Sequence, residues 1–179
     1  FFQFPALEPD LPDLLCRARR AGCVISFDTA SWDATGRWCQ RIRPFAQWID
    51  YFFANEAQLA QLTHCDRPDQ AADFLMRDGV KQVIAKRGEA GSIRFCAGQP
   101  PVSVPAFPVD AVDTTGAADS FDAAYLYGVR RGRQPRDCAR FGNTVAGSNC
   151  ARAGATAGVP DLETALRLCR AHYGPDTAL

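Results

Sequence analysis

Ten residues, Val112-Asp113-Thr114-Thr115-Gly116-Ala117-Ala118-Asp119-Ser120-Phe121, combine small side chains and a glycine with an acid one turn into a helix. Successive backbone N–H groups of residues 116 to 119 at a helix N-terminus make an anion site, because the unsatisfied donors and the macrodipole both favour a phosphate. Small side chains let that phosphate approach. An aspartate beside it adds negative charge, which is unfavourable for phosphate storage but suits phosphoryl transfer. Asp119 would accept a hydroxyl proton while the alcohol attacks a phosphorus whose developing charge the amides of Gly116, Ala117 and Ala118 stabilise. The competing reading is an acid that interacts with the helix dipole and nothing more. Taken alone, the segment leaves both open.

The elements that must position this segment follow from periodicity and punctuation. Residues 12–20 carry Leu14, Leu15 and Ala18 at helical spacing, with Asp10 and Asp13 at the start and Gly22 as a stop. The apolar run 23–28 ends in a carboxylate, the pattern of a buried parallel strand that delivers Asp28 to its C-terminal end. A loop over 29–36 precedes a helix over 38–48 that breaks near Pro44. A strand over 49–54 then leads to Asn55, which opens a helix over 56–62. A helix over 68–77 closes at Gly79, followed by a strand over 81–86, a turn over 88–91, and strands near 92–96 and 102–106. Three helices, 115–131, 135–152 and 161–172, complete the chain, with Gly132, Gly154 and Gly174 as stops. Strands alternating with helices mean right-handed βαβ units and an α/β architecture with a parallel sheet covered on both faces. Ligands in such sheets bind beyond the carboxyl ends of the strands, so Asp28, Asn55, Lys86 and the loop before Thr115 should converge on one rim.

Composition narrows the partners. The 179 residues are 47% hydrophobic and 22% charged without a low-complexity tract, which excludes wholesale disorder, collagen and coiled coil and fits a single domain over 1–179, whole or as most of a larger one. Twenty basic residues balance 20 acidic ones, so there is no broad footprint for nucleic acid or an anionic membrane. Apolar runs such as 51–54 fall far short of the ~20 residues that span a bilayer, and no membrane anchor is expected. The eight cysteines are irregularly spaced without a C-x-x-C, which disfavours zinc ribbons and redox motifs and reads as free thiols in a reducing cytoplasm. His64 and His172 have no partner spaced for a metal. Arg17, Arg19 and Arg20, like Arg130, Arg131, Arg133 and Arg136, read as solvated helix ends rather than a polyanion site. Trp32, Trp38 and Trp48 could line a ligand pocket by stacking but read more simply as packing residues. The opening Phe1-Phe2-Gln3-Phe4-Pro5 has no initiator Met, basic region or cleavage site and reads as a chain interrupted mid-protein.

Residues 113–121 closely resemble the D-T-x-G-A-G-D-x-F signature of the PfkB, or ribokinase-like, family of carbohydrate kinases, with Ala118 the one departure at a fixed position. The strand ending at Asp28, Asn55-Glu56 as the start of an N-x-x-E motif, residues 86–91 as a K/T-x-G-x-x-G turn, and Asn143 through Gly154-Ala155 with Pro160 agree in order and spacing. The resemblance implies a three-layer α/β/α, Rossmann-like fold with a mostly parallel sheet. It also implies ATP-dependent, Mg²⁺-assisted transfer of the γ-phosphoryl group to a sugar hydroxyl, with Asp119 as base and residues 116–118 as anion hole. Lys86 would meet the nucleotide phosphates and Gly88 would let the backbone approach them, with Asn55, Gly91 and Gly154 on the same nucleotide side. Asn143 would lie by the adenine groove or bond neighbouring backbone. Asp113 and Thr115 resemble positions near the K⁺ site of some members, with turn capping as the simpler reading. Asp28 would reach the sugar or bond loop amides.

Two departures bear on metal and phosphate. Gln58 stands where the motif has its glutamate, leaving Glu56 to help organise hydrated Mg²⁺. Ala118 is tolerable if right-handed helical and costs roughly 1 kcal/mol or more if the loop needs a positive φ. Family members carry an N-terminal part with the first βαβ units, most sugar contacts and a lid. A sheet lacking it would expose a strand edge and self-associate. The alternatives to a sugar kinase are a non-catalytic nucleotide-binding or docking remnant and a nucleoside kinase.

Overall fold

The computed structural model describes residues 8–30 and 38–177, with 38 and 39 as backbone only. Expectations for the opening pentapeptide, for most of the loop 29–36, for Trp32 and for the Trp38 side chain therefore lie outside the described residues. The elements are α1 (Leu11–Arg20), β1 (Ser26–Asp28), α2 (Trp38–Ile42), β2 (Tyr51–Asn55), α3 (Glu56–Thr63), α4 (Pro68–Arg77), β3 (Gln82–Lys86), β4 (Ser92–Cys96), β5 (Gln99–Val104), α5 (Ala117–Arg130), α6 (Pro135–Cys150) and α7 (Leu162–Tyr173). The strands form one sheet in the order β1-β2-β3-β4-β5. β1 and β2 run parallel, with Ser26 opposite Tyr51 and Asp28 opposite Phe53. Only Ala97 and Gly98 join β4 to β5, a connection too short for a parallel crossover.

Local chemistry explains most boundaries. Pro44 ends α2 at Ile42, and the chain continues to Trp48 as a tighter 3-10 turn. α4 covers the expected 68–77. β5 begins three residues before the expected 102, with Pro100 and Pro101 on an edge strand of the described sheet, the position where proline is tolerated.

The chain divides into two compact units, residues 1–85 with 95–100, and residues 86–94 with 101–179. In the first, Phe52, Phe53 and Ala54 of β2 and Val83, Ile84 and Ala85 of β3 are buried as near-continuous apolar runs, with Leu59, Leu62, Ala71, Ala72 and Leu75 supplied by α3 and α4. Asp50, one residue before β2, is the polar anchor of this unit. It accepts the Ile25 N–H at 2.8 Å and lies 3.0 Å from Arg19 and 2.6 Å from Lys81. Burial alone would raise its carboxyl, but the Ile25 amide and the two cations outweigh it and hold the carboxyl below its ordinary range. In the second unit Ala124, Phe141, Val145, Ala165 and Cys169 form a core shared by α5, α6 and α7, with Tyr127, Leu166 and Tyr173 packed against it.

The seven described cysteines are free. Burial pushes the Cys138 thiol up to about 11. Among the described residues no helix is long and apolar enough to cross a membrane.

Candidate functional site

Gly116 is the N-cap of α5 and adopts a left-handed conformation, φ 74°. A Cβ there would collide with the carbonyl oxygen of Ala155, so neither the dihedral nor the space admits another residue. No side chain caps the helix. The Ala117 N–H reaches the Thr114 carbonyl at 3.2 Å, and the Ser120 N–H reaches that of Gly116 at 2.9 Å. The N–H groups of Gly116, Ala118 and Asp119 have no backbone acceptor among the described residues. Three of the four expected amides thus remain for an anion, with Ala117 spent on a turn. Ala118 lies inside α5 at negative φ, so its methyl carries no backbone strain. Asp119 is exposed and makes no hydrogen bond or ion pair to the described residues.

Two side chains brace this loop. Asp113 accepts the Gly154 N–H at 2.8 Å and the Thr115 N–H at 2.9 Å, and these bonds bring its carboxyl from 3.8 down to about 2. Asn149, 0% exposed, donates to the Ala155 carbonyl at 2.8 Å and the Thr115 carbonyl at 3.3 Å, and accepts the Gly158 N–H at 3.2 Å. Asp113, Thr115 and Gly154 therefore work as turn caps that staple loop 113–116 to loop 154–158. Both Asp113 oxygens accept amide N–H groups, the turn-capping arrangement. Asn149 escapes a sequence reading, since a lone amide near a helix C-terminus does not announce which loop it will hold.

On the same unit, Lys86 at the end of β3 places Nζ 3.1 and 3.2 Å from the two carboxylate oxygens of Asp122. Gly91, φ 86°, could not carry a Cβ without striking the Val104 carbonyl, while Gly88, φ 54°, has open space where a Cβ would be. The Arg87 N–H closes this turn on the Gly91 carbonyl at 2.8 Å. Asn143 is buried and donates to the carbonyls of Pro105 at 2.9 Å and Val104 at 3.3 Å. The Pro105 oxygen also takes the Tyr173 hydroxyl at 2.7 Å, and burial pushes that phenol up to about 12.

The remaining candidates belong to the first unit. Asp28 accepts the N–H of Ala30 at 2.6 Å, turning the chain as it leaves β1. Asn55 caps α3: its Oδ1 accepts the Gln58 N–H at 2.8 Å, and Gln58 Oε1 accepts the Asn55 N–H at 2.7 Å. Gln58 Nε2 also points at the Ala30 carbonyl, 3.5 Å away, a donation that a glutamate could not make. Glu56, half-buried in the first turn of α3, is the acid left in this segment. No group of three His, Cys, Asp or Glu suited to a metal occurs among the described residues. That fits Mg²⁺ only in its usual mode, held by substrate phosphates and water with one or two protein carboxylates.

The model of the pfkB family carbohydrate kinases matches residues 5–162. Ribokinase of Arabidopsis thaliana is 35% identical over 129 residues, 68% of this chain and 34% of that protein. A nucleoside kinase of Methanothermobacter thermautotrophicus is 28% identical over 167 residues, 91% of this chain and 52% of that protein. The solved structure of Arabidopsis thaliana ribokinase complexed with ribose and ATP superposes with a TM-score of 0.79 at 28% identity, over 88% of this chain and 51% of that one. The chain thus spans about half or less of the length of these relatives, and its fold is the ribokinase-like α/β fold anticipated from the signature.

Proposed function

We propose that this chain, which belongs to the pfkB family of carbohydrate kinases, is the nucleotide-side and catalytic portion of an ATP-dependent kinase that transfers the γ-phosphoryl group to a sugar hydroxyl. The observation that carries the reading is the end of α5, where an exposed, unpaired Asp119 stands beside three amides with no acceptor. Asp119 takes the acceptor's hydroxyl proton as the oxygen attacks, and the amides of Gly116, Ala118 and Asp119 stabilise the charge that builds on the phosphoryl oxygens. Gly116 fixes the direction of those amides, Lys86 meets the nucleotide phosphates, and Gly88 lets the backbone come close to them. Mg²⁺, when bound with the nucleotide, would offset phosphate charge. The reading places the protein in the cytoplasm with small-molecule partners.

Calorimetric titration of the 179-residue chain with ATP and ADP in Mg²⁺, alongside Asp119→Asn, tests this directly. Saturable binding by both proteins is the expected result, and in a complete enzyme phosphoryl transfer to a panel of sugars should be lost only in the variant. A folded chain that binds neither nucleotide would instead be a docking remnant of the family. A nucleoside acceptor is favoured by one observation, the nucleoside kinase that matches 91% of this chain. Turnover with nucleosides but not with ribose or fructose would select it.

A further inference from the structure

The ammonium of Lys86 is shared with a carboxylate that neither the glycine turn nor the signature explains. Both partners of the Lys86–Asp122 pair are nearly buried, 12% and 13% exposed, so each has given up most of its hydration and meets the opposite charge of the other. Asp122 follows Asp119 by three residues within α5 and therefore stands on the same face, one turn further from the helix N-terminus. Two carboxylates so close to the unpaired amides would oppose a polyphosphate, and Lys86 offsets one of them.

We propose that Asp122 sets nucleotide affinity by acting through Lys86: its carboxylate competes with the nucleotide phosphates for the ammonium and weakens binding according to phosphate charge. The inference rests on the kinase reading above, in which Lys86 is a phosphate contact. A phosphate that recruits Lys86 must draw it from Asp122 or share it, whereas the adenosine portion meets no such competition. Asp122 is a positioning residue in this scheme and touches neither phosphorus nor acceptor. Its consequence is that a spent nucleotide is held less firmly than the amides and Lys86 alone would hold it.

The test is titration of the 179-residue chain with ATP, ADP and AMP in Mg²⁺, comparing wild type, Asp122→Asn and Asp122→Glu, with thermal melting as the check on folding. Asp122→Asn should tighten ATP about tenfold, the scale of removing one charge near a polyanion in a half-screened setting, with a smaller gain for ADP and none for AMP. Asp122→Glu, which keeps the competing charge, should stay close to wild type. If Asp122→Asn does not melt cooperatively, Asp122→Ser carries the same expectation. Unchanged or weaker ATP binding by a folded neutral variant overturns the proposal, as does an equal gain for ATP and AMP. A wild-type chain that melts cooperatively and binds no nucleotide overturns the kinase reading itself, an outcome distinct from a wild type that binds and a variant that fails to tighten.

Discussion

Two helix N-termini, those of α3 and α5, begin with the same surplus of amide donors and dispose of it in opposite ways. At α3 the side chains of Asn55 and Gln58 close a reciprocal capping box that takes up the N–H groups of Gln58 and Asn55. At α5 the N-cap is a glycine that cannot cap, and the amides of Gly116, Ala118 and Asp119 are left unspent. Stability favours the first arrangement, by about 1 kcal/mol per good cap. The second forgoes that gain while the surrounding residues, Asp113 and Asn149, work to hold the loop open in one shape. The lesson is that a helix end meant for a ligand is recognised by what the chain declines to do there.

The sharpest way to break this contrast is Asp119→Asn. Turnover of a complete enzyme should fall by roughly 10²–10⁴-fold while ATP affinity hardly changes, as steady-state kinetics and titration would show. Near-normal turnover would mean that the uncapped end is not a catalytic one. Gly116→Ala is next: its methyl must enter the space of the Ala155 carbonyl at a positive φ, so a loss of about 1–3 kcal/mol in denaturant unfolding is expected, with phosphate affinity falling alongside. Asn55→Ala sharpens the contrast from the other side. Unfolding should show a cost of about 1 kcal/mol, and nucleotide affinity should be untouched if α3's end is structural.

The smallest effect is one of pH. The Asp113 carboxyl sits at about 2 in the folded chain against an ordinary 3.8. Its contribution is therefore fully present above pH ~4 and drains away as pH falls through about 2. Acid titration of wild type and Asp113→Asn should show their difference in stability shrinking over that window, and a difference that grows on acidification would refute the assignment.

Much of this was legible in the sequence because it rests on local rules. The break at Pro44, the helix from Pro68 to Arg77, the cap at Asn55 and the small-residue opening of α5 all follow from residues within a turn of one another. The signature named Asp119 and Gly116, and the helical φ of Ala118 shows why its departure is harmless to the backbone. The expected run of four amides was one too many, since Thr114 folds back onto Ala117. What stayed hidden is tertiary. Asp122 reads as one more acid on a helix until Lys86, 36 residues earlier, is brought against it. The bonds of Asn143 to the carbonyls of Val104, which ends β5, and of Pro105, 39 and 38 residues away, are equally invisible to local rules.

The stapling of loop 113–116 to loop 154–158 also bears on the order of folding. Its bonds join residues 41 and 34 positions apart, Asp113 to Gly154 and Thr115 to Asn149. Helix turns close within a fraction of a microsecond, whereas contacts this distant must wait for the intervening helices to dock. Loop 113–116 therefore takes its shape late, when α5 and α6 are already together, and on the proposed reading a growing chain would not hold a nucleotide before the far loop has been made.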